Sequence, residues 1–317
     1  MLADQIRQVR SFNRTVTQRV GALGASFLDR GRPLGEARLI YEIGVGGADV
    51  KELRERLALD SGYLSRLLRS LDRQGLVRLR NGAEDARVRH VALTPEGRNE
   101  LTEYDRRSDA FAQSILASLS TAQRDRLVSA MTDVERLLRA AAVEIRIEKP
   151  DSADAVWCLD QYSRELAQRF EGGYDPNQTR AVSTGELTPP AGCFLVARLD
   201  GRPIGCGALK VGPDNIAEIK RIWVLGAVRG LGVGRRILQT LEENAWGYGA
   251  ALLRLDTNRA LKEAQALYRA TGYREVAPFN DEPYAHHWFE KTLRPISASP
   301  SPPRAEGEAK RRPPARG

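Results

Sequence analysis

The sequence is poor in the residues that build metal and redox centres. Its three cysteines, Cys158, Cys193 and Cys206, stand apart without CxxC spacing, and 317 residues carry only three histidines. Neither a zinc cluster nor a disulfide framework is supported, no metal is expected, and the cysteines read as small core residues. No apolar run approaches the roughly 20 residues that span a bilayer. The N-terminal stretch MLADQIRQVRSFNR lacks the apolar core and cleavage site of a signal peptide. A cytoplasmic chain with no membrane partner is therefore expected. No internal repeat stands out.

What is present is ordinary globular composition: 42% hydrophobic and 28% charged residues. That excludes wholesale disorder, and the length predicts about two domains. The net charge of +8 is unevenly spread, about +5 over residues 1–147, −1 over 148–293 and +4 from 294 onward. A basic excess at the two ends is compatible with a polyanionic partner, and equally with plain solubility.

Residues 2–30 form a polar helical pattern, and a second helix is expected from Pro33 and a third over 50–59. The segment DSGYLSRLLRSLDRQGLV has Asp60 or Ser61 as N-cap and Leu64, Leu67, Leu68 and Leu71 on one face. Gly75 is its natural stop. VRLRNGAEDARVRHVAL then reads as two short strands around an Asn81-Gly82 turn. Together these make a winged helix-turn-helix outline. Helices follow from Thr94 to Ser118 and, behind a capping box at Ser120 and Gln123, through Leu127, Met131, Val134 and Leu138. That narrow apolar seam is suited to another helix, so a homodimer is expected.

Near Ile145 the pattern changes to mixed α/β. A strand and a helix over 151–170 lead into a Gly/Pro-bearing loop, 172–192, and then a hairpin at Asp200-Gly201. IAEIKRIWVL is a third strand, followed by a Gly-rich loop opening a helix, the strand ALLRLDTN, the helix LKEAQALYRATG and final strands near Tyr273 and His287. From Pro295 the chain is Pro, Ser, Ala and Arg without apolar period, and disorder is expected. The expected organisation is a two-domain α+β chain: a mainly α winged helix-turn-helix domain over 1–145, a mixed α/β domain over 146–294 and a basic tail over 295–317.

Ser61, Ser65, Arg66, Arg69 and Arg73 fall beside the leucine stripe, on a face able to enter a major groove of double-stranded DNA. Residues 61–90 hold seven arginines against three acids, an electrostatic footprint, although a solvated helix face has the same composition. The run Asp85-Ala-Arg87 followed by Val91, Leu93-Thr94 and Gly97 resembles the wing signature of MarR-family regulators. Leu71-Asp-Arg-Gln-Gly75-Leu76-Val77 resembles the end of that family's recognition helix. The resemblance implies a dimer with recognition helices in successive major grooves, Arg87 reaching the minor groove and Asp85 orienting it. A narrow minor groove concentrates negative potential, which suits that arginine.

The loop after WVLGAV reads Arg229-Gly230-Leu231-Gly232-Val233-Gly234-Arg235. Glycines and free N–H groups at a helix start suit a pyrophosphate. Strand, loop and helix also fit a dinucleotide turn, which would want G-x-G-x-x-G and an acid closing the next strand. Here Ile237 occupies the last glycine position, and the next strand closes on Asp256-Thr-Asn258, so the acid alone leaves both open.

Arg229, Gly232 and Gly234 after Ile222-Trp223-Val224, with Asn258 and Leu267-Tyr268-Arg-Ala-Thr-Gly272-Tyr273 downstream, resemble the GNAT acetyltransferases over about residues 146–293. The resemblance implies acetyl-CoA with its pyrophosphate on the amides of 229–235. Its pantetheine arm would lie along Ile222, Trp223 and Val224, with Asn258 nearby. An amine acceptor must lose a proton to attack, and Glu218 is the candidate base. Tyr268 is the candidate acid for the departing thiolate, against an alternative as a packed aromatic anchor. His286 and His287 read as exposed or satisfied imidazoles. The functions implied are a DNA-binding regulator joined to an N-acetyltransferase of a small amine or amino acid. An acetyl-CoA-sensing repressor without turnover, or a protein lysine acetyltransferase, are the alternatives.

Overall fold

A computed structural model of the chain describes residues 1–81, 89–180 and 182–293. Asp85 and Arg87 and the tail lie outside the described residues. The chain divides into two compact units whose main boundary falls between Glu144 and Ile145. No helix among the described residues is long and apolar enough to cross a membrane.

The first unit opens with α1 (Leu2–Arg19), shorter than the pattern over 2–30 suggests. The helix stops because Gly21, with φ of 66°, takes the left-handed region, and glycine-rich chain follows. α2 (Leu34–Ile43), β1 (Ala48–Asp49), α3 (Val50–Arg56) and α4 (Ser61–Arg73) come next. α3 ends before residue 59 because Ala58 turns to φ of 49°. Asp60 rather than Ser61 caps α4, accepting from the Tyr63 N–H at 2.9 Å. β2 (Val77–Asn81) and β3 (Arg89–Leu93) complete a sheet of order β1-β3-β2. Asn81 is still laddered to Arg89, so the connection falls beyond it, at 82–88, outside the described residues. The core joins Leu39, Ile40, Leu53, Leu64, Leu68, Leu71, Val77 and Val91.

α5 (Pro95–Ala117) begins against the turn that ends α4. Thr94 caps it through the Gly97 N–H at 3.0 Å, and its hydroxyl also donates to the Gly75 carbonyl at 2.6 Å. A Cβ at Gly97 would lie 2.0 Å from the Leu76 carbonyl oxygen, so only glycine permits this approach. A charged bracket adds to it. Glu100 receives Arg30 through two bonds, at 2.9 and 2.7 Å, and Arg32 at 2.7 Å. Arg32 also reaches Gln74, which donates to Glu36 of α2. α6 (Thr121–Ala142) begins with the expected capping box at Ser120 and Gln123. α1 and α6 bury no residue, and Ile6, Val9, Phe12, Met131 and Leu138 are exposed.

The second unit is a seven-stranded sheet of order β4-β5-β6-β7-β8-β10-β9. Its strands are β4 (Glu144–Glu148), β5 (Gly192–Leu199), β6 (Arg202–Val211), β7 (Ile216–Val224), β8 (Leu252–Thr257), β9 (Arg274–Val276) and β10 (His287–Thr292). The continuous run Cys193–Ala197 is buried on both faces, as a sheet covered by helices on each side requires. Asp200 and Gly201 both take positive φ, the geometry of a tight two-residue hairpin turn. α7 (Ala153–Arg169) and α8 (Val233–Gly247) pack on β7, and α9 (Lys262–Ala270) lies against β9.

Replacing Gly97 by Ala is expected to cost the first unit at least the roughly 1–3 kcal/mol of an overpacked core, since a backbone carbonyl cannot rotate aside. Thermal unfolding of the variant checks it; an unchanged midpoint for that unit would show that α5 does not depend on this contact.

Candidate functional site

The site begins with a break in a ladder. β7 and β8 run parallel and pair only from Ile216–Leu252 to Glu218–Arg254, though both strands continue. Against β6 the register of β7 shifts between Cys206 and Ala208, and Arg221 adopts φ of 57°. The extra residue bulges β7, bends it and ends pairing with β8. Beyond the bulge a cleft of about 460 Å³ opens, walled by Ile222, Trp223 and Val224 on one side and Leu261, Ala264 and Leu267 on the other.

The Arg229–Arg235 loop closes one end of this cleft. Gly232 caps α8 at φ of 76°, where a side chain would be strained. The first intrahelical bond runs from the Arg236 N–H to the Gly232 carbonyl. The amides of 232–235 therefore precede any helical acceptor and form an anion cradle at the positive end of α8. These residues fit a pyrophosphate.

Arg229 is anchored rather than free. It donates to the Val224 carbonyl at 3.1 Å and to both oxygens of Glu165 at 2.6 Å. Glu165, on α7, also accepts from Arg169 at 3.0 Å and from the Trp223 indole at 2.9 Å. Burial pushes the Glu165 carboxyl up, but these donors outweigh it and hold it below the usual carboxylate range. Arg229 and Glu165 thus tie the free end of β7 to α7 across the cradle's floor.

A second, smaller cavity of about 100 Å³ adjoins the cleft and shares Tyr162, Leu166, Ile222, Leu261 and Ala264 with it. Tyr268 lines this cavity, while its neighbour Leu267 lines the cleft. The Tyr268 ring packs on Tyr273 and Phe289, and burial, then the Asp256 charge, raises its phenol, keeping the proton on oxygen. The loop over 172–192 contributes Tyr174, Thr179, Arg180 and Val182 to the wall.

Glu218 is not among the cavity's lining residues. It lies on the paired stretch of β7, below the bulge, and is held by Lys220 at 3.3 Å. Lys220 reaches past it to Asp256, at 3.0 Å, and both Lys220 and Asp256 line the cavity. Burial draws the Lys220 ammonium down, but the Asp256 and Glu218 charges prevail and keep it protonated. Asn258 also lines the cavity, with both ends of its amide engaged by the Tyr284 carbonyl and the Ala260 N–H. His287 pairs with Glu275 at 2.6 Å and His286 is exposed; neither enters the cavity.

In the first unit, α4 buries its leucines and presents Ser61, Arg66, Arg69 and Arg73 to solvent, with Ser65 half-buried. Arg69 and Arg73 hydrogen-bond only carbonyls of their own helix among the described residues, and Arg66 lies over the Tyr63 ring. This leaves three guanidinium groups without carboxylate partners among the described residues on one surface.

Comparison with known proteins gives a match within each unit. Residues 159–273 match the acetyltransferase (GNAT) family and residues 30–88 the MarR family. An IAA acetyltransferase from Azospirillum brasilense is 32% identical over 138 residues, which is 43% of this chain and 88% of that protein. The chain belongs to the GNAT acetyltransferase family. The MarR-family match lies within the first unit; the uncharacterized HTH-type transcriptional regulator YdgJ of Bacillus subtilis is 29% identical over 80 residues, 25% of this chain and 49% of that one. A GNAT-family acetyltransferase structure from Staphylococcus aureus covers 48% of the chain and all of its own, at 16% identity and a TM-score of 0.42.

Within this GNAT domain, sequence reasoning missed Glu165, Lys220 and Arg221 and the aromatic wall of Tyr162, Tyr174 and Tyr284. Glu165 sits in an amphipathic helix among other charges, and nothing local marks it. Asp256 was visible as the acid ending a strand, but its direction was not.

The Glu165 carboxyl is depressed in the folded GNAT domain, so its contribution to stability is complete above the unfolded glutamate value of about 4.3 and is lost as pH falls through the lower folded value. Glu165→Gln is expected to cost about 2 kcal/mol at pH 7 and to flatten the acid limb of stability below about pH 4. Denaturant titrations at several pH values check this, and an unaltered acid limb would remove Glu165 from the account.

Proposed function

We propose that the chain is a DNA-binding regulator joined to an acetyl-CoA-dependent N-acetyltransferase whose acceptor is a small amine. The observation that carries the enzymatic half is the junction of three features: an amide cradle at α8, a strand edge freed beside Val224, and a cavity holding Tyr268 and Asp256. Acetyl-CoA fits with its pyrophosphate on the amides of residues 232–235 and its extended arm along Ile222, Trp223 and Val224, as an added strand beside unpaired backbone.

The amine nitrogen attacks the thioester carbonyl carbon; a carbon–nitrogen bond forms and the carbon–sulfur bond breaks. An N–H at Val224 stabilises the oxyanion. Asp256 replaces Glu218 as the carboxylate that receives the amine proton, directly or through one water, because it faces the cavity and Glu218 does not. Tyr268, kept protonated by burial, gives its proton to the departing thiolate.

The regulatory half rests on the α4 surface. Ser61, Ser65, Arg66, Arg69 and Arg73 meet the major groove of double-stranded DNA, and Asp85 and Arg87, by family resemblance, serve the wing. The exposed seams of α1 and α6 are the dimer surface: apolar positions recur along helices that bury nothing within the chain.

Tyr268→Phe is expected to lower kcat about 100-fold while leaving the Kd for coenzyme A, read by calorimetry, unchanged. Tight coenzyme A binding with no thiol released from any amine would instead identify a sensor without turnover, and label appearing only on protein lysines a protein acetyltransferase.

For the regulatory half, Arg69→Ala is expected to weaken binding to operator DNA and reduce the salt slope of log K by about 1. Met131→Glu with Leu138→Glu is expected to yield monomers in sedimentation. A monomeric wild-type chain sinks the dimer reading.

A further inference from the structure

The cavity beside Tyr268 contains a cation with no counter-ion among the described residues. Lys220 is neutralised twice, by Asp256 and Glu218, and Arg180 at the margin is exposed. Arg221 also lines the cavity, yet its guanidinium makes no ion pair among the described residues. It is the residue at φ of 57°, so the bulge that parts β7 from β8 also sets this side chain. Its charge falls on the phenols of the half-buried Tyr162 and Tyr174 within the same cavity. A partly buried guanidinium with open donors is a fork for a carboxylate.

The rest of the cavity has the complementary poles. Asp256 lies near Tyr268, and Glu282 places a buried Oε1 with no hydrogen-bond partner in the lining, its Oε2 accepting from the Arg180 N–H at 3.3 Å. A buried acceptor left unmatched is costly unless a guest supplies a donor. Aromatic rings form the wall: Tyr174 and Tyr284 have centroids 5.0 Å apart, and Phe170 and Tyr284 5.7 Å. A cation without an ion pair among the described residues, two carboxylates in the lining and an aromatic wall in about 100 Å³ describe a small zwitterion better than a simple amine.

We propose that the acetyl acceptor is a small α-amino acid, its carboxylate held by Arg221 and its amine directed toward Asp256 and the thioester. This rests on the acetyl-transfer reading above and names the acceptor for that site. Arg221 precedes Val224 by three residues, roughly 10 Å of extended strand. That span suits a molecule whose nitrogen and carboxylate share one carbon, with the arginine stem making up the remainder. A lysine within a protein, whose amine is far from any carboxylate of its own, does not fit it.

The test uses matched acceptors with the full chain and acetyl-CoA: leucine, leucinamide and isoamylamine; phenylalanine, phenylalaninamide and phenethylamine. Acetylated product is measured, and binding of the same compounds to coenzyme-A-saturated protein is measured by calorimetry. The acid forms are expected to exceed the amides and amines by roughly 10- to 100-fold in kcat/KM, the range of a hydrogen bond to a charged partner. Arg221→Gln is expected to erase that preference through KM while coenzyme A affinity holds, and Arg221→Lys to keep part of it.

Amides and amines acetylated as well as the acids, or an acid preference that survives Arg221→Gln, overturns the amino-acid inference and leaves acetyl transfer standing. Acids that bind in an Arg221-dependent manner without any product support the carboxylate site and overturn the catalytic reading. Absence of both binding and product for every acid form also overturns the inference.

Discussion

One irregularity in a strand organises the catalytic half. A parallel pair that kept its ladder to the end would leave no opening between β7 and β8. The bulge at Arg221 withdraws the last three residues of β7 from that ladder, and their backbone groups then need partners. The α8 amides supply an anion site at one end of the opening and the Tyr268 cavity lies beside it. Arg229 and Glu165 keep the freed strand from collapsing across the gap, joining the Val224 carbonyl to α7. Cleft, cradle and the Tyr268 cavity are therefore consequences of one backbone event and one ion pair at the edge of the cleft.

The first unit shows the same economy with different chemistry. The Leu93-Thr94-x-x-Gly97 signature looks like a label until the contacts are seen: Thr94 joins α5 to the turn that ends α4, and Gly97 lets the two backbones touch. Glu100 then binds Arg30 and Arg32, whose side chain continues to Gln74 at the end of α4. The helix that presents arginines outward is held at its far end by polar contacts and along its inner face by leucines. Its exposed guanidinium groups are left to meet an external anion.

Periodicity and punctuation carried most of the fold. The leucine stripe of α4, the capping box of α6, the Asp200-Gly201 turn and the strand–loop–helix at Arg229 are local features, each decided by residues within one or two turns of chain. Boundaries failed where a backbone conformation intervened, as at Gly21 for α1 and Ala58 for α3. Asp85 and Arg87 fall outside the described residues, so the wing rests on sequence alone.

The sequence by itself determined which elements form, that one half resembles a MarR regulator and the other a GNAT acetyltransferase, and which glycine loop opens α8. Only the tertiary structure decided which carboxylate faces the cavity. Glu218 and Asp256 both lie on strands with alternating burial, and alternation assigns a face without telling where along that face a cavity opens. The bulge at Arg221 decides that, because it ends the pairing above Glu218 and leaves Asp256 at the opening. The partners of Arg229, and the absence of an ion pair for Arg221 among the described residues, are likewise products of packing between distant segments, which no local pattern encodes.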